Sequence, residues 1–259
     1  MPYGTWWSPS GWAADVPART DLATDPAVLD DLGVVRLATA SFRRALSQVD
    51  DPGFDAPSTL PGWSRRHLVA HVGYNARALS RLVVWAATGV ETPMYASSEQ
   101  RAEEIELGST LRPQALRSLV EHAAIELDVR WRDLPADRWS FPVLTAQGRR
   151  VPASETLWMR TREMWLHAVD LRTGVQVADI PEALQHRLVD DVVGVWARRG
   201  EDPGWLLREE GGAGRTWGDA GAGVTVSGPL PALLAWATGR PGDGVTFSSG
   251  PVQRAPRWI

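Results

Sequence analysis

The sequence of 259 residues predicts a mainly α protein, with a four-helix bundle over residues 26–177 and a small α+β domain over residues 178–259. Four long segments of the first region carry apolar residues every three to four positions, which is the repeat of an amphipathic helix. In the second region, short segments rich in β-branched residues alternate with helical ones. Residues 1–25 are rich in Trp, Pro, Gly and Ser, and we interpret them as an irregular arm.

Cap and turn residues delimit the first two helices. Asp25 is suited to an N-cap and Pro26 to the first helical position, and this helix should end before Asp50. Ser64 is the predicted N-cap of the second helix, which should end at Gly89 because glycine commonly terminates helices. Both segments are long enough to span a bundle.

The next two long helices are separated by an extended connection. A short helix is predicted over residues 99–107, and Pro113 then opens the third long helix. Residues 133–152 contain three prolines and a glycine, which indicates a long connection without helix. Ser154 is the predicted N-cap of the fourth long helix, and Gly174 stands just beyond its end.

The C-terminal region has the order helix, strand, strand, helix, strand. The helices are predicted over residues 182–199 and 229–238. The strands are predicted over residues 205–208, 224–227 and 245–248, where β-branched and aromatic residues are concentrated. This order is typical of a small α+β module.

Composition excludes several classes of chemistry. The chain contains no Cys, so disulfides and thiolate metal sites are excluded, and metal ligands must be His, Asp or Glu. It contains no Lys, which excludes a Schiff-base or P-loop lysine. A net charge of −4 without a basic stripe is not typical of nucleic-acid binding. We see neither a signal peptide nor a membrane-spanning apolar run, and we expect a cytoplasmic protein.

Histidine and glutamate side chains are spaced for metal binding. Glu163 and His167 lie four residues apart on the fourth long helix, so both project from one face, one turn apart. His67 and His71 have the same spacing on the second helix. His71 lies on the inward-facing stripe of that helix, whereas His67 is either an outer partner of the site or an exposed residue.

Helix geometry allows His71 to join Glu163 and His167. At about 1.5 Å per residue, His71 lies about 10 Å below the start of its helix, and the other two lie about 13–20 Å below the start of theirs. In an up-down-up-down bundle the second and fourth helices run parallel, which would place these residues at similar heights. Two His and one Glu leave a tetrahedral ion with an open position, as in catalytic zinc sites. On spacing alone, a hydrogen-bonded core histidine and a chance Glu-x-x-x-His pair remain the alternative.

Five segments resemble the mycothiol-dependent maleylpyruvate isomerase family, whose members are similar to the DinB four-helix-bundle metal proteins. Residues 60–71 (LPGWSRRHLVAH) resemble its helix-two motif, and residues 162–170 (REMWLHAVD) resemble its second metal motif. Residues 73–79 (GYNARAL) and 89–95 (GVETPMY) resemble the isomerase branch, and residues 228–240 resemble the small second domain. The resemblance runs from about residue 27 to the end.

The resemblance implies a DinB-like bundle in which His71, Glu163 and His167 bind zinc, with a water in the open position. It implies that Arg240 reaches back toward the metal cleft, and that mycothiol is the thiol cosubstrate. The implied reaction is the cis–trans isomerisation of maleylpyruvate to fumarylpyruvate in gentisate breakdown. The expected chemistry is addition of a zinc-held thiolate to the double bond, rotation about the resulting single bond, and elimination.

The substrate carries two carboxylates, and the chemistry also requires a cation near the developing enolate. We expect Arg240 to stabilise the enolate as a catalytic residue. Arg77 and Arg81 are candidates for the carboxylates. A solvated surface position is the alternative for both, and it suits Arg81 better than Arg77. Asn75 and Tyr95 are candidates for orienting the substrate or the thiol, although Asn75 could equally form a hydrogen bond between helices.

Three alternatives remain open at this point. A mycothiol S-transferase would use the same site but release the thiol adduct. A zinc-binding regulatory or structural protein would not need Arg240 or an open coordination position. A metallohydrolase would need a further general base, and His122 and Glu121 on the third long helix are the candidates, although surface positions suit them better. Oligomeric state does not follow from the sequence.

Overall fold

The computed structural model describes residues 20–258. Residues 1–19 of the arm predicted over residues 1–25 therefore lie outside the described residues. The helices of the described part are α1 (Pro26–Ser47), α2 (Arg65–Thr88), α3 (Ser98–Ser109), α4 (Pro113–Arg132), α5 (Glu155–Asp170), α6 (Glu182–Arg199) and α7 (Leu230–Ala237). Short 3-10 helices cover Pro52–Asp55, Ala136–Arg138 and Val177–Asp179. The bundle consists of α1, α2, α4 and α5, and the mainly α fold is confirmed.

The predicted caps explain where the bundle helices begin and end. Asp25 Oδ1 accepts a hydrogen bond from the backbone N–H of Ala27 at 2.9 Å, at the start of α1. Ser64 and His67 form a reciprocal capping box at the start of α2. Gly89 ends α2 in the left-handed region, with φ of 76°, which glycine adopts without a steric cost.

The predicted parallel direction of the second and fourth bundle helices, α2 and α5, is wrong: they run antiparallel. Arg65, at the start of α2, donates from Nε to the carbonyl of Leu171 just beyond the end of α5, at 2.6 Å. Arg160, in the first half of α5, donates to the carbonyl of Val72 at 2.8 Å. Residue numbers along α5 therefore decrease in the direction in which residue numbers along α2 increase.

The connection between α2 and α4 accounts for this topology. The segment that contains α3 returns the chain to the end of the bundle where α2 began, so α4 runs parallel to α2. Arg66 near the start of α2 donates to the carbonyl of Leu111 just before α4, at 2.6 Å. Further along, Gly73 lies directly against Leu119. The bundle is therefore up-down-down-up rather than up-down-up-down.

The C-terminal region contains a four-stranded sheet in the order β4-β3-β5-β6. Its strands are β3 (Trp205–Glu209), β4 (Thr216–Trp217), β5 (Val224–Gly228) and β6 (Thr246–Phe247). β3 and β5 pair in parallel, and the edge strands pair antiparallel. The connection before α5 contains a hairpin of β1 (Pro142–Leu144) and β2 (Arg150–Pro152). The sequence prediction missed this hairpin and β4.

One apolar core crosses the predicted domain boundary near residue 178. It includes Phe42 of α1 and Trp165 of α5, together with Val192 of α6 and Trp236 of α7, all of them buried. The C-terminal region thus covers one end of the bundle, and residues of both regions line one cavity. No helix among residues 20–258 combines the length and apolar character needed to cross a membrane.

Candidate metal centre and its cavity

A cavity of about 850 Å³ lies between the bundle and the C-terminal region. Its wall combines α2 and α5 with α3 and the loop before it, and the tip of the β1–β2 hairpin. Residues 238–240 and 255–258 of the C-terminal region complete the wall. Its size is within the range of small-molecule sites.

His71, Glu163 and His167 meet at the wall of this cavity. Nε2 of His71 lies 3.0 Å from Glu163 Oε2, and Nε2 of His167 lies 3.0 Å from the same oxygen. One potential ligand atom from each of the three residues lies within 4.8 Å of the others. The structure therefore brings together the three side chains that the sequence predicts as ligands.

The three residues meet although their helices run in opposite directions. His71 lies in the second turn of α2, near its N-terminal end, and His167 lies in the last turn of α5. In the antiparallel pair these two ends are neighbours. Because α5 has only 16 residues, a position well below its start is also close to its end. The predicted contact is therefore correct, but its premise of parallel helices is not.

Burial and mutual hydrogen bonds control the electrostatics of the cluster. The side chains of His71, Glu163 and His167 are 6%, 11% and 11% exposed. Burial alone would raise the pKa of Glu163, but hydrogen bonds from His167 and His71 outweigh it and hold that pKa well below its usual value. Burial lowers the pKa of His71 and outweighs the effect of Glu163. The cluster thus contains an ionised carboxylate between two imidazoles.

Asp170 and Arg240 form a second layer behind the cluster. Asp170 Oδ2 lies 2.9 Å from His167 Nδ1, and the Asp170 side chain is fully buried. Arg240 donates from Nε to Oδ1 at 2.9 Å and from Nη2 to Oδ2 at 2.6 Å. A hydrogen bond from His167 Nδ1–H to Asp170 is the arrangement that would leave the Nε2 lone pair available to a bound metal ion.

The charges of this second layer shift two pKa values. Burial would raise the pKa of Asp170, but the charge of Arg240 outweighs it, so that pKa is lowered. Burial would lower the pKa of His167, but hydrogen bonds to Asp170 and Glu163 outweigh it and raise that pKa. Sequence reasoning missed Asp170, although its position three residues after His167 is the signal of a carboxylate–histidine pair.

The four predicted substrate contacts divide into two pairs. Asn75 and Tyr95 line the cavity. Arg77 is exposed, with its guanidinium 5.7 Å from the centre of the Tyr74 ring, and Arg81 donates to the carbonyl of Met94. Neither arginine lines the cavity. At about 100° per residue, Arg77 lies about 120° and Arg81 about 80° from His71 around the axis of α2, so neither projects in the direction of His71.

Two other arginines face the cavity and were missed. Arg101 of α3 lines it, with Nη2 3.4 Å from His71 Nδ1 and its guanidinium 5.9 Å from the centre of the Tyr95 ring. Arg162 of α5 also lines it and pairs with Asp191 at 2.7 Å. Arg162 belongs to the metal motif and could have been suspected. No sequence signal marked Arg101, because α3 lies outside the four-helix pattern.

The remaining candidates, His67, Glu121 and His122, do not line the cavity. His67 Nδ1 lies 2.7 Å from Ser64 Oγ in the α2 capping box. Glu121 accepts a hydrogen bond from Arg43 at 2.6 Å, and His122 is exposed. The surface interpretation of Glu121 and His122 agrees with these positions, and neither residue supplies a general base at the cavity.

Together, the fold and the site define a helical-bundle protein with a candidate metal centre that faces a large cavity. The family model described as the mycothiol maleylpyruvate isomerase N-terminal domain matches residues 35–172, more than half of the chain. The chain therefore belongs to the mycothiol-dependent maleylpyruvate isomerase family, as the resemblance predicted.

Solved structures extend this likeness to the C-terminal region. A crystal structure of the mycothiol-dependent maleylpyruvate isomerase is 49% identical, with a TM-score of 0.86, and the match covers 89% of this chain and 97% of that chain. A histidine-to-alanine mutant of that isomerase matches at 48% identity, with the same TM-score and coverage. A comparison with curated proteins gives no significant match.

Proposed function

We propose that this chain is a mycothiol-dependent maleylpyruvate isomerase, which converts maleylpyruvate to fumarylpyruvate. The observation that carries the proposal is the likeness to an enzyme of that name, at 49% identity over 89% of the chain. The likeness extends well beyond residues 35–172, which the family model matches, and so reaches into the C-terminal region that forms part of the cavity wall.

The donor set of the cluster fits a zinc ion. Two imidazole nitrogens and one carboxylate oxygen converge on a common point, and zinc sites in enzymes commonly combine these ligands. We propose that His71, Glu163 and His167 hold this zinc, with Asp170 orienting His167. When bound, zinc would lower the pKa of a thiol and so favour the thiolate at neutral pH.

The proposed reaction needs a thiol that the chain does not contain. With no Cys in the sequence, the nucleophile must come from a cosubstrate, here mycothiol. Its thiolate adds to the double bond of maleylpyruvate, and the electron pair of that bond moves onto the conjugated carbonyl oxygen. The resulting carbon–carbon single bond rotates. The electron pair then returns, the carbon–sulfur bond breaks, and the trans product and the thiolate are released without net oxidation.

The chain supplies positive charge and hydrogen-bond donors around this chemistry. Arg240 lines the cavity while it holds Asp170, so its charge lies beside the ligand cluster, where an enolate would develop. Arg101 and Arg162 are the guanidinium groups that we assign to the substrate carboxylates, in place of Arg77 and Arg81. The side chains of Asn75 and Tyr95 also line the cavity, and we assign to them the orientation of the substrate.

The test is a turnover assay with purified, zinc-loaded protein. Maleylpyruvate is mixed with the protein, with and without mycothiol, and its absorbance is followed while the products are separated by chromatography. We expect fumarylpyruvate only when mycothiol is present, and no net loss of the thiol. A stable thiol adduct instead of fumarylpyruvate would indicate an S-transferase. Protein that binds zinc but changes neither compound would indicate a non-catalytic zinc protein.

A further inference from the structure

Arg160 is a buried arginine that forms no salt bridge with any of the described residues. It lies on α5, one turn before Glu163, and only 1% of it is exposed. Its Nη1 donates to two neutral oxygens, the carbonyl of Val72 at 2.8 Å and Oδ1 of Asn75 at 2.9 Å. Its Nη2 has no hydrogen-bond partner among residues 20–258. Buried arginines are normally paired with carboxylates, because the desolvation of an unpaired guanidinium is costly.

The pKa of Arg160 reflects this cost. Burial lowers it to about 10, and the nearby charge of Glu163 offsets only part of the effect. The side chain is still protonated at neutral pH, so it contributes a positive charge next to the cavity-lining Asn75. A group that is expensive to bury and poorly compensated by the fold is expected to serve the site rather than stability.

Arg160 also fixes the orientation of Asn75. An arginine side chain only donates hydrogen bonds, so the Asn75 atom that faces it must be the carbonyl oxygen and not the amide nitrogen. Asn75 is 6% exposed and lines the cavity, and its Nδ2 finds no acceptor among the described residues. Asn75 therefore presents two N–H donors to the cavity and no acceptor.

The place of these donors suggests what they bind. Asn75 follows His71 by one turn on α2, about 6 Å along the helix axis, so it lies beside the ligand cluster and not within it. Donors that are backed by a buried positive charge favour an anionic oxygen. The dicarboxylate substrate offers such oxygens a few bonds from the carbon that the thiolate attacks.

We propose that Arg160 is a positioning residue, which holds the Asn75 amide so that its Nδ2–H groups donate to a carboxylate oxygen of the substrate. This inference rests on the proposed function for the identity of the substrate. It also predicts an anion subsite in the cavity that is independent of turnover.

The decisive variant is Asn75→Asp. The new carboxylate faces Arg160 and forms an ion pair with it, so folding should be preserved and the thermal midpoint should be equal or higher. An ionised carboxylate cannot donate, and it repels the substrate. We therefore expect the KM for maleylpyruvate to rise by about 10- to 100-fold, while the KM for mycothiol and the zinc content stay unchanged. An unchanged KM for maleylpyruvate, or an equal rise for mycothiol, would overturn the inference.

Gln147→Glu is the matched control. Gln147 also lines the cavity, on the exposed tip of the β1–β2 hairpin, and the same exchange of an amide for a carboxylate adds the same charge there. No hydrogen bond from an arginine orients its amide in the described structure, so we expect a much smaller change in KM. Equal effects of Gln147→Glu and Asn75→Asp would mean that only the general charge of the cavity matters, which would overturn the role of Asn75.

Arg160 itself is tested by a pair of variants. Arg160→Met removes the charge and frees the Asn75 amide to rotate, so the KM for maleylpyruvate should rise about tenfold. Arg160→Lys keeps a charged donor beside Asn75 and should restore most of the loss. Because Arg160→Met also removes an unpaired buried charge, its thermal midpoint should not fall. A large fall in thermal midpoint together with an unchanged KM would show that Arg160 is only structural.

A binding measurement separates this inference from the proposed function. Maleate, a cis-dicarboxylate without the keto group, is titrated into the wild type, Asn75→Asp and Arg160→Met by calorimetry. Loss of maleate binding in both variants supports the subsite even if the wild type proves unable to isomerise maleylpyruvate. If the wild type isomerises maleylpyruvate and both variants bind maleate as it does, the function stands and the inference fails.

Discussion

Two buried histidine–glutamate pairs of this molecule have almost the same geometry but different surroundings. His71 and Glu163 are 3.0 Å apart in the bundle, and His186 and Glu209 are 3.1 Å apart in the C-terminal region. In the bundle, the carboxylate also faces a second imidazole and borders the cavity. In the C-terminal region, the other side of the pair is filled by protein.

The surroundings of the second pair explain why it is structural. Glu209, at the end of β3, also accepts a hydrogen bond from the backbone N–H of Arg215, at 3.1 Å, and so closes the turn that leads to β4. The His186 ring packs against Trp217, with 6.0 Å between ring centres. A buried His–Glu pair alone is therefore no indication of a metal site. Convergence of a third ligand beside an open cavity is what distinguishes the first pair.

The largest difference between the pairs should appear on removing one histidine from the ligand cluster. We expect His71→Ala to lose its bound zinc and to lower turnover by about a thousandfold or more, since a direct ligand should matter more than the outer partners that cost 10- to 100-fold. Zinc content is measured by elemental analysis and turnover by the loss of maleylpyruvate absorbance. A His71→Ala protein with a full complement of zinc would contradict the ligand assignment.

Arg240→Ala sharpens the comparison, because only the ligand cluster has an arginine–carboxylate layer behind it. Glu163, His71 and His167 all remain, so we expect zinc to be retained, while turnover falls about 100-fold through the loss of positive charge near the enolate. Arg208→Ala is the control, since Arg208 is exposed on β3 of the same region. Turnover equal to that of the control would remove Arg240 from the mechanism.

His186→Ala should produce the opposite result to His71→Ala. It removes the partner of a buried carboxylate, so we expect the free energy of unfolding to fall by about 2–3 kcal/mol, with zinc content and turnover unchanged. Urea unfolding measures the first quantity. Loss of zinc from this variant would mean that the two pairs are not functionally distinct.

Features of the fold that depend on local interactions could be predicted from the sequence, whereas long-range topology could not. The cap residues Asp25 and Ser64 predicted the starts of helices because capping is a local interaction. The direction of α4 relative to α2 depends on where the 89–112 segment returns, and no local pattern encodes that. The β1–β2 hairpin was missed because its strands have three residues each and include prolines.

At the site, helical spacing predicted the residues that share a face but not the ones that come from elsewhere. Glu163 and His167 were predicted from their spacing on one face of α5, His71 was added from the inward stripe of α2, and the family motifs preferred His71 over His67. Arg101 could not be found in this way, because α3 reaches the cavity only through the topology of the connection. Arg77 and Arg81 do not line the cavity, because residues on one helix do not all project from one face.

We expect the smallest effect from His67→Ala. It is also the closest comparison with His71→Ala, since His67 lies one turn from His71 on α2. Its Nδ1 accepts a hydrogen bond from the Ser64 backbone at 3.3 Å, and its Nε2 lies 3.5 Å from Glu106 at the surface. We expect His67→Ala to lower the free energy of unfolding by about 1 kcal/mol or less, as for a lost cap, and to keep full zinc content and turnover. Thermal unfolding and elemental analysis measure both. If His67→Ala lost zinc as His71→Ala should, helix capping would not be its only role, and the face of α2 that binds the metal would have to include both histidines.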